Sequence, residues 1–85
     1  MVELSKEVRK ELRKEAMCWL WTSFSVMSES TTKDDLDYHF HSISGQISMC
    51  KKLGIISMES YWRLQDYLLA YCVRCMCELY EKEVA

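Results

Sequence analysis

From Ser57 to Glu81 the chain runs without a proline or a glycine. Its charged side chains there, Glu59, Arg63, Asp66, Arg74, Glu78 and Glu81, gather on one side when residues are placed at about 100° steps. The polar stripe they form is only about 120° wide. The remainder is mostly apolar: a broad face holds Tyr61, Leu64, Leu68, Tyr71, Cys72, Cys75 and Leu79, and a second edge holds Trp62, Leu69, Val73, Met76 and Tyr80. A helix this apolar has to be covered on two sides, which two neighbouring helices can do. The expected fold is all-α, a small three-helix bundle in which Ser57 caps the third helix, residues 58–81.

The rest of the chain agrees with that reading. It has no proline at all and two glycines, which removes most strand and turn punctuation. The first helix is expected over residues 5–27, where Leu4, Val8, Leu12, Ala16, Trp19, Ser23 and Val26 recur at three- and four-residue steps as one seam. Ser28 to Thr32 is a polar linker. Thr32 followed by Asp35 reads as a capping-box variant opening a second helix over 33–53. Its seam is Leu36, Phe40, Ile43, Ile47 and Cys50, with Lys51 and Lys52 at the negative end of the dipole and Gly54 as the left-handed residue after it. Gly45, in mid-helix, points to a close helix approach. At 85 residues the chain makes one domain, 1–85, and a domain of this size buries only about 60 to 65% of its unfolded surface.

Several function classes are disfavoured. Charges at nearly every other position from Met1 to Ala16 are unlike a secretory signal, and Arg63, Asp66 and Arg74 interrupt the most hydrophobic stretch, so no membrane span is expected. The expected location is cytoplasmic, in a bacterium or a host cytosol. Five cysteines, Cys18, Cys50, Cys72, Cys75 and Cys77, read as reduced thiols, most of them small buried hydrophobes, with Cys77 the most exposed. Cys72, Cys75 and Cys50 could share a metal, but nothing supplies a fourth ligand; His39 and His41, two residues apart on a helix, point about 200° apart. No metal and no cofactor is expected. No nucleophile sits beside a base and no glycine-rich phosphate loop exists, so no enzyme activity is expected.

Gln46 to Leu64 is similar to the helix-turn-helix pattern, with Gln46, Cys50 and Gly54 at the family's spacing. The resemblance covers under a quarter of the chain. Ser57 comes one residue late against that pattern, and the would-be recognition helix offers only Arg63 against Glu59 and Asp66. An αα-hairpin with a capped start is the favoured alternative.

Two apolar surfaces exceed what one seam per helix requires. On the first helix Lys6, Lys10 and Arg13 lead into Met17, Trp21 and Phe24, off the main seam and away from the acidic stripe of Glu7, Glu11 and Glu15. On the third helix the second edge is Trp62, Leu69, Val73, Met76 and Tyr80. These surfaces either meet each other or bind a protein partner, with Lys10, Arg13, Met17, Trp21, Phe24, Trp62, Leu69, Met76 and Tyr80 as the candidate contacts. The expected function is a non-catalytic protein-binding module, an adaptor or an inhibitor by occlusion, such as a small phage or mobile-element inhibitor of a bacterial enzyme. Nucleic-acid binding through the basic edge or the helix-turn-helix-like segment comes second, and a structural homodimer third.

Overall fold

The computed structural model describes residues 5–84. Three helices, α1 (Lys6–Ser28), α2 (Lys33–Lys52) and α3 (Met58–Val84), form an all-α bundle with no strand among the described residues. A hydroxyl caps each start: Val8 N–H donates to Ser5 Oγ at 3.2 Å, Asp35 N–H to Thr32 Oγ1 at 3.1 Å, and Ser60 N–H to Ser57 Oγ at 3.1 Å. Each satisfies an amide that a first helical turn leaves unpaired. α2 ends as its sequence suggests. Gly54 adopts φ 73°, and the Gly54 and Ile55 amides turn back to the carbonyls of Lys51 and Cys50 at 3.0 and 2.9 Å. The third helix runs on to Val84 instead of stopping near Glu81.

α2 is the middle element. Along α1 it is antiparallel: Ser23 Oγ lies 3.2 Å from Gln46 Oε1, and Arg13 Nε donates to the Ile55 carbonyl at 3.2 Å. Along α3 it is antiparallel too, from the Lys51 ammonium 4.8 Å above the Tyr61 ring to the paired Ser44 and Gln65 side chains. The latter bond twice, Ser44 Oγ donating to Gln65 Oε1 at 3.1 Å and Gln65 Nε2 donating to the Ser44 carbonyl at 3.3 Å. α2 and α3 thus form an αα-hairpin, not the angled pair of a helix-turn-helix. α1 and α3 run parallel and approach less closely than either approaches α2. Large rings fill the space between them, with Phe24 centred 5.2 Å from Tyr67 and 5.4 Å from Tyr71, edge to face.

The core draws Leu20, Phe24 and Met27 from α1, Leu36, Ile43, Ile47 and Cys50 from α2, Leu68, Cys72 and Cys75 from α3, and Ile55 and Ile56 from the loop closing one end. The seams expected on α2 and α3 are the buried ones, with Phe40 packed at the edge. On α1 the expected seam is wrong. Val8, Trp19 and Val26 are exposed, Leu4 lies outside the described residues, and only Leu12 and Ala16 pack against the core. The reason is geometric. Leu20 and Met27 sit between the stripe chosen as the seam and the stripe of Met17, Trp21 and Phe24, and α2 and α3 close over that middle line from either side. Gly45 also departs from expectation: it is exposed, and a Cβ built on it meets nothing within 4 Å. No close approach explains it. Ser30 in the α1–α2 linker is buried, and its hydroxyl has no hydrogen-bond partner among the described residues.

The bundle measures 52 × 18 × 16 Å, and its net charge differs between the ends, although Glu7, Glu11, Glu15 and Glu59 lie at the basic end and Lys33, Arg74 and Lys82 at the acidic one. The sequence spreads charge nearly evenly, but antiparallel packing brings Lys6, Arg9, Lys10 and Arg13 of α1 to the same end as Lys51 and Lys52 of α2. Asp34, Asp35 and Asp37 of α2 gather with Glu78, Glu81 and Glu83 of α3 at the other.

Two substitutions read these local features with opposite sign. Gly45→Ala, at an open mid-helix position, is expected to stabilise the protein by about 0.5 to 1 kcal/mol. Ser57→Ala, which strips the cap of α3, is expected to lower stability by about 0.5 to 2 kcal/mol. Denaturant midpoints of the two variants against the wild type check both; an unmoved midpoint for Ser57→Ala means that its hydroxyl does not cap the helix.

Candidate functional site

Each candidate contact residue has a definite place. Phe24 is 2% exposed and Met17 packs against the core, so the α1 patch is mostly covered by α3. Of the two alternatives left open for Met17, Trp21 and Phe24, cover by a neighbouring helix is the one found for Met17 and Phe24, which are therefore not open partner contacts. Trp21 remains half exposed, but its ring lies 5.6 Å from Phe24 and 5.4 Å from Tyr67, inside the aromatic cluster that joins α1 to α3. Arg13 is partly committed to the Ile55 carbonyl, and Lys10 is exposed. The Lys10 and Arg13 side of α1 is the inward side. Where the bundle ends, the stripe that buries Leu20 and Phe24 continues as Arg13, Lys10, Arg9 and Lys6, and none of these four has an acidic partner among the described ion pairs.

The α3 edge is different. Trp62, Leu69, Val73, Met76 and Tyr80 are 39 to 67% exposed. They do not meet the α1 patch, because Tyr67 and Tyr71 occupy that side of α3.

A third apolar surface lies outside the two expected from the sequence. Between α1 and α2 lies an open groove of about 350 Å³. Leu12, Ala16 and Trp19 form one wall, Met49 and Leu53 the other, and Cys50 and Ile55 the floor, with Glu15 and Gln46 at the rim. Trp19 is 57% exposed, and Met49 and Leu53 are similarly open. A concave apolar surface edged by a tryptophan and two flexible aliphatic side chains, with few polar groups, suits an apolar side chain from a partner protein. One sequence signal was available: Met49 and Leu53, four residues apart, are apolar but lie off the Leu36 to Cys50 seam. Trp19 was hidden because it matched the wrong seam.

The thiols and histidines do not assemble a reactive centre. Cys50, Cys72 and Cys75 are buried, and Cys18 joins Cys77 as an exposed thiol. Burial pushes the Cys50 thiol up; burial and then the Asp37 carboxylate push Cys72 up; burial, Glu78 and Cys72 raise Cys75 against the opposing pull of Arg74. Raised thiols stay protonated and are poor nucleophiles. His39 Nε2 lies 3.5 Å from Asp35 Oδ1, and His41 is exposed. Among the described residues no group of three or more His, Cys, Asp or Glu side chains is placed to hold a metal ion. No described helix is long and apolar enough to cross a membrane.

No protein-family model matches this sequence, and no curated protein and no solved structure is significantly similar to it.

Two measurements follow from these placements. Phe24→Ala is expected to act as a core truncation costing about 3 to 5 kcal/mol, whereas Trp19→Ala should change stability by about 1 kcal/mol or less; thermal unfolding followed by circular dichroism separates them. At neutral pH a thiol reagent is expected to label Cys18 and Cys77 in the native protein and the other three only after unfolding. The buried thiols keep their protons to higher pH than unfolded ones, so the stability they contribute is intact below the ordinary thiol range and is lost as pH rises through the raised range. Rapid labelling of all five in the folded protein would contradict their placement.

Proposed function

We propose that this chain is a non-catalytic, cytoplasmic protein-binding module that seats an apolar segment of a partner protein in the α1–α2 groove, as an adaptor or as an inhibitor by occlusion. The observation that carries this reading is the groove itself. It is concave, apolar and open, and its Trp19 wall is exposed although the core beside it is closed. Trp and Met side chains are enriched where protein interfaces concentrate their binding energy. A small phage or mobile-element inhibitor of a bacterial enzyme is one form such a module takes, and the size of the chain suits it.

One observation favours nucleic acid as a second reading: the basic end, where Lys6, Arg9 and Lys10 meet Lys51 and Lys52. Phosphates would be neutralised there.

Pull-down from a bacterial lysate, compared between wild type and a Trp19→Ala, Leu53→Ala variant, tests the first reading. A defined protein retained by the wild type, and at least tenfold less by the variant, is expected, with retention nearly unchanged between low and moderate salt. Retention insensitive to the two substitutions contradicts the groove. Retained nucleic acid that is lost steeply with salt replaces this reading with the second.

A further inference from the structure

The exposed edge of α3 is regular. Trp62, Asp66, Leu69, Val73, Met76 and Tyr80 follow one another at alternating steps of four and three residues, the spacing of a coiled-coil seam. All but Asp66 are apolar, and all lie on the outer side of α3, away from the Leu68, Cys72 and Cys75 line that the core buries. The bundle already covers α3 with α1 and α2, and neither reaches this seam. Such a stripe has the spacing of a helix-pairing surface.

We propose that the partner is a second copy of this chain, paired antiparallel through α3 about a two-fold axis passing near residue 71. The stripe is self-complementary under that operation, as an isologous interface has to be. A large ring stands at each end, Trp62 and Tyr80, and branched aliphatic side chains stand in the middle, Leu69 and Val73. Reversal about residue 71 sets Trp62 against Tyr80 of the second copy and Leu69 against its Val73. Asp66 falls opposite Met76 but lies at the polar margin of the stripe, where its exposed carboxylate keeps its water.

Charge selects the direction. Antiparallel pairing lays the end that carries Lys51 and Lys52, where Arg63 is already paired with Glu59, beside the Glu78, Glu81 and Glu83 end of the other copy, whereas parallel pairing would set like ends together. The area is adequate. Exposures of 39 to 67%, on large side chains of which the aromatic ones bury about 150 to 250 Å² each, offer on the order of 500 Å² per copy. Two copies together then reach about 1,000 Å², the size at which a specific interface becomes credible. The groove between α1 and α2 faces elsewhere and stays open in this dimer, so the inference is independent of the function proposed above.

The test is the oligomeric state of the full chain. Sedimentation at tens of micromolar is expected to give twice the 10.1 kDa chain mass. Leu69→Glu combined with Val73→Glu, both at exposed positions, should give a monomer with an unchanged helical circular dichroism spectrum, and Trp19→Ala should leave the dimer intact. Spin labels report the direction without depending on those variants. In a Cys18→Ser, Cys77→Ser background, a label at Ala70→Cys lies near the axis, about one helix spacing of 10 Å from its mate. A label at Glu81→Cys is displaced from its mate by about 30 Å along the axis at 1.5 Å per residue. A pair distance at residue 81 longer than that at residue 70 by about 20 Å supports the antiparallel dimer. A monomer at every concentration, a dimer that survives the double Glu variant, a dimer lost on Trp19→Ala, or equally short distances at both labels overturns it.

Discussion

The bundle depends on a single narrow seam. Leu36, Ile43, Ile47 and Cys50 are the buried apolar positions of α2, and both other helices close over them. Remaining positions of α2 are largely polar, so the helix cannot be turned or slipped without setting serines and charges against the core. Polar pairs on either side of the seam hold the register, Ser23 with Gln46 toward α1 and Ser44 with Gln65 toward α3. With α2 fixed this way, α1 and α3 have little choice of position, and what they bury is decided by what reaches the α2 seam. What they leave exposed is decided in the same step. α3 has far more apolar surface than one seam can cover, and its outer stripe is what remains.

The elements that sequence reading recovered are those where one local signal dominates. The α2 seam is the longest apolar stripe on its helix, and its caps at Thr32 and Gly54 follow from backbone chemistry that needs no tertiary partner. Ser57 is legible for the same reason. α1 was not legible because it carries two apolar stripes flanking a third line, Leu20 and Met27, and periodicity alone does not say which of three adjacent lines faces inward. Only the position of the neighbours decides. Trp19 and Phe24 exchanged roles as a result, one coming to edge the open groove and the other entering the core. Gly45 failed differently: close packing was inferred from a residue whose surroundings are empty, and nothing in the fold explains it.

Charge shows the same gap between chain and fold. Along the sequence the signs nearly balance, yet the bundle has a basic end and an acidic end, because an up-down-up path folds the middle helix back on its neighbours. No window of sequence contains that asymmetry. It appears only when the start of α1 is known to lie beside the end of α2.

The way the ends are charged is informative in itself. A helix is stabilised by acidic residues in its first turn and basic residues in its last, each contributing about 0.3 to 1 kcal/mol. α2 follows the rule, with Asp34 and Asp35 at its start and Lys51 and Lys52 at its end. The start of α1 and the end of α3 depart from it in net charge. α1 opens with Lys6, Arg9 and Lys10 interleaved with Glu7 and Glu11 and has no basic residue in its last turn, and α3 closes with Glu78, Glu81 and Glu83 around Lys82, although Glu59 in its first turn follows the rule. Helix stability therefore favours the opposite signs at these two termini. The departures are aligned, since both strengthen the polarity that α2 sets up along the long axis. Where a sequence breaks a local rule without a compensating contact inside the fold, the compensation is sought in what the fold binds. The antiparallel pairing proposed above would lay the net-positive end of one rod against the net-negative end of the other, along the exposed apolar stripe of α3.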